Sequence, residues 1–309
     1  MSGLPLTILE WSRLTGEAPG LRDEGAAIVE AAMAFERAAG VDRTFSAVSA
    51  ASPEAGEGWP DVLTRMIDRT VEPAIWEWIA PDDRLPEVLA ETAAMIAAAG
   101  VDVRLNNVSP ATAAIFASKR ETCRDLASRS IPCVSTIAAC DRTRRPGRWV
   151  VKPDRGCGCE QVQIVDSERL LESSARIPNA VVQPYLRGPS YGVLVRLADG
   201  RVFPEAKQDI VADDAGELSY RGGWIARRSP SQDVRELASL VREAIPDRDG
   251  WIGIDFIRTE RGPVVLEVNP RRTTSMVGLA VQRRDRDITA VRFAKNGAVL
   301  DQPSLGEGQ

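Results

Sequence analysis

Strand-like and helix-like segments alternate through the first hundred residues, and no other feature limits the fold as strongly. Leu6 to Trp11 is a short apolar strand. Leu21 to Ala39 follows, with apolar residues at the helical positions Ala27, Ile28, Ala31, Ala32 and Phe35 and with Gly40 as a C-terminal stop. Thr44 to Val48 and Ala74 to Ile79 read as strands. Pro86 to Ala99 reads as a helix, with proline in its first turn and Gly100 past its end, and Val101 to Leu105 as another strand. Ser109-Pro110 opens a further helix, and Lys119 to Arg129 continues helical. This order predicts a parallel sheet with helical crossovers, a Rossmann-like layer.

The pattern changes at the charged linker Asp141-Arg-Thr-Arg-Arg-Pro-Gly147, beyond which hairpins dominate. Arg148 to Lys152 and Gln161 to Val165 are strands joined by a Gly-rich loop. Tyr191 to Leu197 and Arg201 to Lys207 flank Asp199-Gly200, a two-residue turn signal. Ser231 is placed as the cap of a helix from Gln232 to Ile245, and Trp251 to Arg258 with Val264 to Asn269 form the last hairpin. The 309 residues thus read as an α/β unit followed by an antiparallel α+β unit, with the boundary near 110–120.

Composition narrows the chemistry. The chain has no histidine, which excludes a Ser-His-Asp triad, an H-E-x-x-H zinc site and a histidine general base together. Its net charge of −5 argues against a dedicated nucleic-acid binder. Five cysteines without paired C-x-x-C spacing (Cys123, Cys133, Cys140, Cys157 and Cys159) suit a reducing compartment. The opening residues lack a basic region and a long apolar run, and Ala93 to Val101 is too short to span a bilayer. A cytoplasmic protein without membrane association is expected.

The last hairpin carries the strongest chemical signal. Its connection Glu260-Arg261-Gly262 reads as a three-residue loop with glycine in the left-handed position. With Thr259 facing Pro263, Asp255 lies opposite Glu267, and Asn269 shares their face. Ile254 and Phe256 then face Leu266 and Val268 on a dry side. Two carboxylates across a strand pair repel unless a cation sits between them, and Mg²⁺ takes one or two carboxylates plus phosphate oxygens. An exposed polar face, or a register one residue off, is the competing reading. In Val150-Val-Lys-Pro-Asp-Arg-Gly-Cys-Gly-Cys-Glu160, small residues let backbone N–H groups approach phosphate, with Lys152 as a fixed charge; a plain tight turn is the alternative. Val181-Val-Gln-Pro-Tyr-Leu186 offers an apolar wall to a planar base, or serves as a hinge.

Taken in order, Ser118-Lys119, Val151-Lys-Pro-Asp-Arg-Gly-Cys-Gly158, Gln183-Pro-Tyr-Leu-Arg-Gly188, Tyr220-Arg-Gly-Gly223, Gly253-Ile-Asp-Phe256 and Glu267-Val-Asn-Pro-Arg-Arg-Thr-Thr-Ser275 resemble the ATP-grasp superfamily. Within it, the chain resembles the ligases of methanofuran and methylofuran biosynthesis that join tyramine, or a related tyrosine-derived amine, to L-glutamate. The resemblance spans roughly residues 1–285. It implies an ATP-grasp fold, α/β plus α+β: a Rossmann-like domain over 1–115, a lid subdomain over 116–182, a C-terminal subdomain with the metal site over 183–295, and a mobile tail over 296–309.

The same resemblance implies the site. Lys119 and Lys152 would contact the α- and β-phosphates of ATP under a lid formed by Gly156 to Gly158. Gln183 and the backbone at Tyr185 and Leu186 would hold adenine. Asp255, Glu267 and Asn269 would bind Mg²⁺, with Mn²⁺ as a substitute. Arg271 would stabilise an acyl phosphate, with a structural salt bridge as the alternative reading. Lys207 is a candidate for the γ-phosphate, and Gly222, Gly223, Thr273 and Ser275 for the acceptor pocket. The partners implied are glutamate and an aromatic amine, with a homodimer left open. One departure matters: D-alanine–D-alanine ligases place an arginine two residues before the metal-binding aspartate, where this chain has Gly253. Cys157 and Cys159 in the lid are unusual and suggest inhibition by thiol reagents. Other small acids and amines, or a nucleotide-binding regulatory module without turnover, are the competing functions.

Overall fold

The computed structural model describes residues 4–15, 21–41, 44–46, 59–139 and 146–301. Cys140, most of the linker and the tail from Gln302 lie outside them. Four parallel strands form the N-terminal sheet: β1 (Leu6–Glu10), β2 (Thr44–Ser46), β3 (Ala74–Ile79) and β4 (Val103–Leu105), in the order β2-β1-β3-β4. Helices α1 (Trp11–Thr15), α2 (Arg22–Arg37), α3 (Trp59–Asp68) and α4 (Leu85–Ala99) pack around it. The strand β3 is buried along its whole length, as parallel strands covered on both faces are. Gly100 ends α4 at φ +66°, a left-handed stop that costs a glycine little. Helices α5 (Pro110–Phe116) and α6 (Lys119–Ser128) start as their caps dictate: Ser109 accepts the N–H of Thr112 at 3.3 Å, and Ser118 that of Glu121 at 3.1 Å.

A small antiparallel sheet follows, in the order β5-β8-β6-β7, from β5 (Ile137–Ala138), β6 (Arg148–Pro153), β7 (Gln163–Asp166) and β8 (Ala180–Pro184), with α7 (Leu170–Ala175) over its own core of Trp149, Val151, Val165 and Val182. The large sheet is antiparallel, in the order β14-β13-β9-β11-β12-β15-β16. Its strands are β9 (Ser190–Arg196), β10 (Arg201–Val202, on β9), β11 (Ala206–Ala212), β12 (Leu218–Ala226), β13 (Trp251–Thr259), β14 (Gly262–Asn269), β15 (Ala290–Ala294) and β16 (Val299–Asp301), with α8 (Gln232–Ala244) and α9 (Met276–Arg284). The two sheets are stitched where Ile164 N–H donates to Gly216 O and Leu218 N–H to Val162 O, each at 2.8 Å. Among the described residues, no helix is long and apolar enough to cross a membrane.

Three local expectations change. The Asp199-Gly200 hairpin closes on Arg196 and Arg201, so its loop has four residues, held by an Arg196–Asp199 ion pair. The returning strand breaks at Pro204, which has no N–H for the ladder, and the chain re-enters the sheet as β11. Ser231 stands at the N-cap of α8 without capping it, because its hydroxyl is engaged by Glu205 and Arg258, each at 2.9 Å.

The N-terminal unit and the large sheet meet at Arg272, which is fully buried. Its Nε donates to Glu77 Oε1 of β3 at 2.6 Å and its Nη2 to Glu36 Oε1 of α2 at 2.7 Å, while the guanidinium lies 4.2 Å from the Trp251 ring centroid. Glu77 also accepts from Asn106 Nδ2 at 2.6 Å, and Asn106 Oδ1 accepts from Gly250 N–H at 3.2 Å. Replacing Arg272 by methionine strands two buried carboxylates without their cation. A loss of about 3–5 kcal/mol in urea unfolding is expected; a loss under ~1 kcal/mol would show that the clamp does not hold the units together.

Candidate active site

The hairpin β13–β14 sets the site. Its turn is tighter than the sequence implies: Thr259 pairs with Gly262 and Arg258 with Pro263, leaving a two-residue turn at Glu260-Arg261. That register is one residue out of step with an Asp255–Glu267 pairing. A bulge at Leu266 restores the step, and Asp255 does lie opposite Glu267. The extra residue leaves Leu266 lining the cavity, where sequence alternation had placed it in the core.

Asp255 is gripped from two sides. Gln208 Nε2 on β11 donates to its Oδ1 at 2.7 Å and Asn269 Nδ2 to its Oδ2 at 2.9 Å. Gly192 on β9 makes room, since a Cβ there would stand 2.9 Å from Asp255 Oδ1. Across the strand pair, Glu267 Oε2 lies 3.7 Å from Lys119 Nζ and 4.0 Å from Lys152 Nζ. Burial and then the Glu267 charge push the Asp255 carboxyl up to about 8. Burial would also raise Glu267, but Lys119 and Lys152 outweigh it and hold that carboxyl below its usual range. Burial lowers Lys152, against the pull of Glu267.

The Gly-rich loop folds over these groups. Lys119 Nζ donates to Gly156 O at 2.8 Å. Asp154 ties the loop to the start of α6: its carboxylate accepts from Ser118 Oγ at 2.7 Å and from the Arg120 N–H at 2.9 Å. Gly156 at φ +114° and Gly158 at φ +72° supply the left-handed turns. Gly158 packs beside Lys295, whose Nζ would lie 3.1 Å from an added Cβ.

Together these elements enclose a cavity of about 570 Å³. Of the residues singled out from sequence, Lys119, Lys152, Gly156, Gly158, Gln183, Tyr185, Leu186, Lys207, Gly223, Asp255, Glu267, Asn269, Arg271, Thr273 and Ser275 all border it. Gly222 does not. At φ +144° it sits where β12 pairs with β15, and a Cβ would meet Phe293 O at 2.0 Å, so close strand approach explains the glycine. Lys207 borders the cavity, but its side chain is exposed and belongs to the other face of β11, paired with Tyr191; alternation gives the cavity face to Gln208. The Tyr185 N–H already donates to Arg148 O at 2.9 Å and is not available to a base. Gln183 Nε2 gives one of its two N–H groups to Thr136 Oγ1 at 2.8 Å.

Arg271 combines both of its readings. It lines the cavity, and its Nε and Nη2 donate to Asp82 at 2.9 and 3.3 Å. Burial opposes its charge, but Asp82 and neighbouring groups raise its pKa above the usual value. Gly253 is packed shut, since a Cβ would fall 2.4 Å from Thr273 Cγ2, so no longer side chain fits there. Sequence reasoning passed over Gln208, Glu24, Asp82 and Tyr220. Of these Gln208, Glu24 and Tyr220 line the cavity and Asp82 pairs with Arg271; only Tyr220 lies in one of the sequence motifs, Tyr220-Arg-Gly-Gly223, where it was given no role of its own.

The donor set suits a hard cation. Two half-buried carboxylates face each other and one is driven up to about 8, a repulsion that a divalent ion relieves. Among the described residues no group of three or more His, Cys, Asp or Glu side chains gathers, so the protein offers two carboxylates and the Asn269 amide, and phosphate oxygens or water must complete the shell.

A family model described as an ATP-grasp domain matches residues 116–275. A search of the curated proteins finds no match by sequence. Among solved structures, an ATP-grasp superfamily protein from Archaeoglobus fulgidus superposes with a TM-score of 0.65 at 16% identity, over 94% of this chain and 92% of that one. The L-amino acid ligase of Bacillus licheniformis gives 0.60 at 15%, over 90% and 70%. The D-alanine–D-alanine ligase of Bacillus anthracis gives 0.59 at 13%, over 92% of each. At such identities these likenesses establish the fold.

The thiols of the Gly-rich loop yield a test. Burial pushes Cys157 and Cys159 up to about 12 each, so at pH 7.5 about one thiol in 10⁴ or fewer is the reactive thiolate. Both should resist iodoacetamide in the folded protein and react at the ordinary rate in urea, as followed by mass spectrometry of the peptide. Ordinary reactivity in the folded state would contradict the suppression of both thiolates.

Proposed function

Because the chain belongs to the ATP-grasp family, we propose that it is an ATP-dependent carboxylate–amine ligase working through an acyl phosphate. The observation that carries this reading is the convergence of Asp255, Glu267 and Asn269 with Lys119, Lys152 and Arg271 on one cavity. The finer proposal is that L-glutamate is joined to tyramine or tyrosine, in the cytoplasm, toward a methanofuran- or methylofuran-type cofactor. Its support is the sequence likeness in Asn269-Pro-Arg-Arg-Thr-Thr-Ser275 and Tyr220-Arg-Gly-Gly223, segments that contribute Tyr220, Gly223, Arg271, Thr273, Thr274 and Ser275 to a common cavity.

In this reading residues 116–182 carry the lid, residues 183–295 the cation side, and residues 1–115 close the substrate end. Lys119 and Lys152, freed from Glu267, neutralise phosphate oxygens, and the Gly156 to Gly158 segment excludes water from them. The apolar strip of Val150, Ile164, Leu186 and Leu266 suits a planar base. Asp255, Glu267 and the Asn269 amide oxygen would hold Mg²⁺, which when bound supplies Lewis-acid charge neutralisation at phosphate oxygens.

The substrate carboxylate attacks the γ-phosphorus and ADP leaves. The amine then attacks the acyl carbon, phosphate leaves, and the nitrogen gives up its extra proton as the amide forms. Arg271, held rigid by Asp82, faces the oxygens where negative charge collects. Positioning and charge neutralisation suffice for such a reaction, so a chain without histidine is equipped for it.

The deciding measurement is ADP release from Mg–ATP with glutamate alone and then with tyramine, tyrosine or dopamine. Release that needs both partners, with a product one water lighter than their sum, is expected. Asp255→Asn should lower that rate at least ~100-fold while leaving thermal unfolding at or above the wild-type temperature, because it removes a buried repulsion. Unchanged turnover in Asp255→Asn would sink the assignment of the cation site.

A further inference from the structure

Two free thiols meet close to the Lys119 and Lys152 pair without lining the cavity. Cys123 is buried on α6, one helical turn past Lys119 and on the same side of the helix. Cys133 is half-buried, on the segment that follows the helix. Its Sγ stands 3.3 Å from the Cys123 carbonyl oxygen and within hydrogen-bond reach of the Cys123 thiol.

Each thiol is tied to groups of the site already described. Cys133 pairs with Val265 of β14, two residues before Glu267. Backbone bonds fix it there: Val265 N–H donates to Pro132 O at 3.0 Å and Val134 N–H to Val265 O at 2.9 Å. On the other side the Thr136 hydroxyl lies in hydrogen-bond reach of the Cys123 thiol and accepts from Gln183 Nε2 at 2.8 Å. The hydrogen bond with Cys133, then that with Thr136 and the Lys152 charge, outweigh burial and bring Cys123 down to about 7. Cys157 and Cys159 stand at about 12, so an oxidant at neutral pH meets its thiolate at the Cys123–Cys133 pair.

We propose that Cys123 and Cys133 are a redox modification site, which hydrogen peroxide converts to a disulfide that weakens nucleotide binding until a thiol reductant reopens it. The thiolate of the pair attacks a peroxide oxygen. The O–O bond breaks, leaving a sulfenic acid and, after proton uptake, one water. The second thiol attacks that sulfur, the S–O bond breaks, and the hydroxyl leaves with the thiol proton as a second water. The two sulfurs lose two electrons and the peroxide gains them. Closure uses both thiol protons and joins α6 covalently to the segment paired with β14. Lys119 lies one turn back on that helix and Glu267 two residues on along that strand, so their 3.7 Å separation is reset. The effect on the nucleotide rests on the ligase reading; the thiol chemistry does not.

The test treats the full chain with hydrogen peroxide at pH 7.5, maps disulfides by mass spectrometry after trypsin, and measures Mg–ATP binding by calorimetry before and after. Peptides 121–124 and 130–142 should appear joined and two hydrogens lighter than their sum, with fragmentation placing the bond at Cys133 and not at Cys140. Kd for Mg–ATP should rise about tenfold or more and return to its starting value with dithiothreitol. Cys133→Ser should bind Mg–ATP as the wild type does, form no such link, and carry instead a Cys123 sulfenic acid that dimedone traps. No disulfide, or one between other cysteines, overturns the site. A Cys123–Cys133 disulfide with unchanged Kd overturns the switch. Reduced protein that binds no Mg–ATP overturns the ligase reading and with it the effect on the nucleotide, while the peptide map still decides the thiol pair. If Cys133→Ser does not fold, the wild-type map and the dithiothreitol reversal decide.

Discussion

The burial of Arg272 between Glu36 and Glu77 is the constraint on which the rest of the structure depends. One guanidinium, with no exposure to water, ties α2 and β3 of the N-terminal unit to the segment leaving β14. A buried ion pair is a poor source of net stability, because desolvation cancels most of its attraction. Its value here is directional. Removing either partner is costly, so the segment from Asn269 to Ser275 has one place to go. Arg271 is thereby delivered to Asp82, and Thr273 to Ser275 are delivered to the cavity wall. Asn106 extends the same network to Gly250, so the strand that carries Asp255 starts from a fixed point as well.

The cavity is built from charges that satisfy one another imperfectly. Glu267 is shared by two lysines at 3.7 and 4.0 Å, distances at which attraction is real but neither pair is a tight hydrogen bond. Asp255 is held by two neutral amides and kept close to a like charge. Such a site stores no free cation and no free anion, yet every member gains by admitting a divalent cation together with phosphate oxygens. On the proposed reading the lysines would move from a carboxylate to phosphates, and the carboxylates from lysines to the cation. This exchange lets an acidic chain accept an anionic nucleotide, because the local groups decide and the net charge of −5 does not.

Much of this was legible before any coordinates, for identifiable reasons. Alternation of strands and helices and glycine and proline punctuation located α4, β3 and the antiparallel second half, since those signals are local. The pairing of Asp255 with Glu267 was reached through a turn one residue too long, and it held because the bulge at Leu266 makes up the difference. A bulge has no sequence signature there, so Leu266 itself was misplaced. A motif names residues without their faces: alternation sets Lys207 on the other face of β11 even though it borders the cavity, and the close approach of β15 demands Gly222. Glu24, Asp82 and Gln208 were invisible because their roles arise between distant segments, 189 residues apart in the Arg271–Asp82 pair and 250 in the Thr274–Glu24 pair.

Gly253 shows how the pieces depend on one another. Where D-alanine–D-alanine ligases carry an arginine, this chain has no room for any side chain, because Thr273 occupies the space at 2.4 Å from a would-be Cβ. Thr273 can stand there only because Arg272, the residue before it, is locked into the N-terminal unit. On the proposed reading the cation that the glycine forgoes is replaced by Arg271, on the neighbouring segment, oriented by Asp82 from the other unit. A single guanidinium is thus supplied from across the seam between units, and a change at Gly253 alone could not restore the other arrangement. Bringing in an arginine at 253 would require displacing Thr273, and displacing Thr273 would pull against the Arg272 clamp that holds the units together.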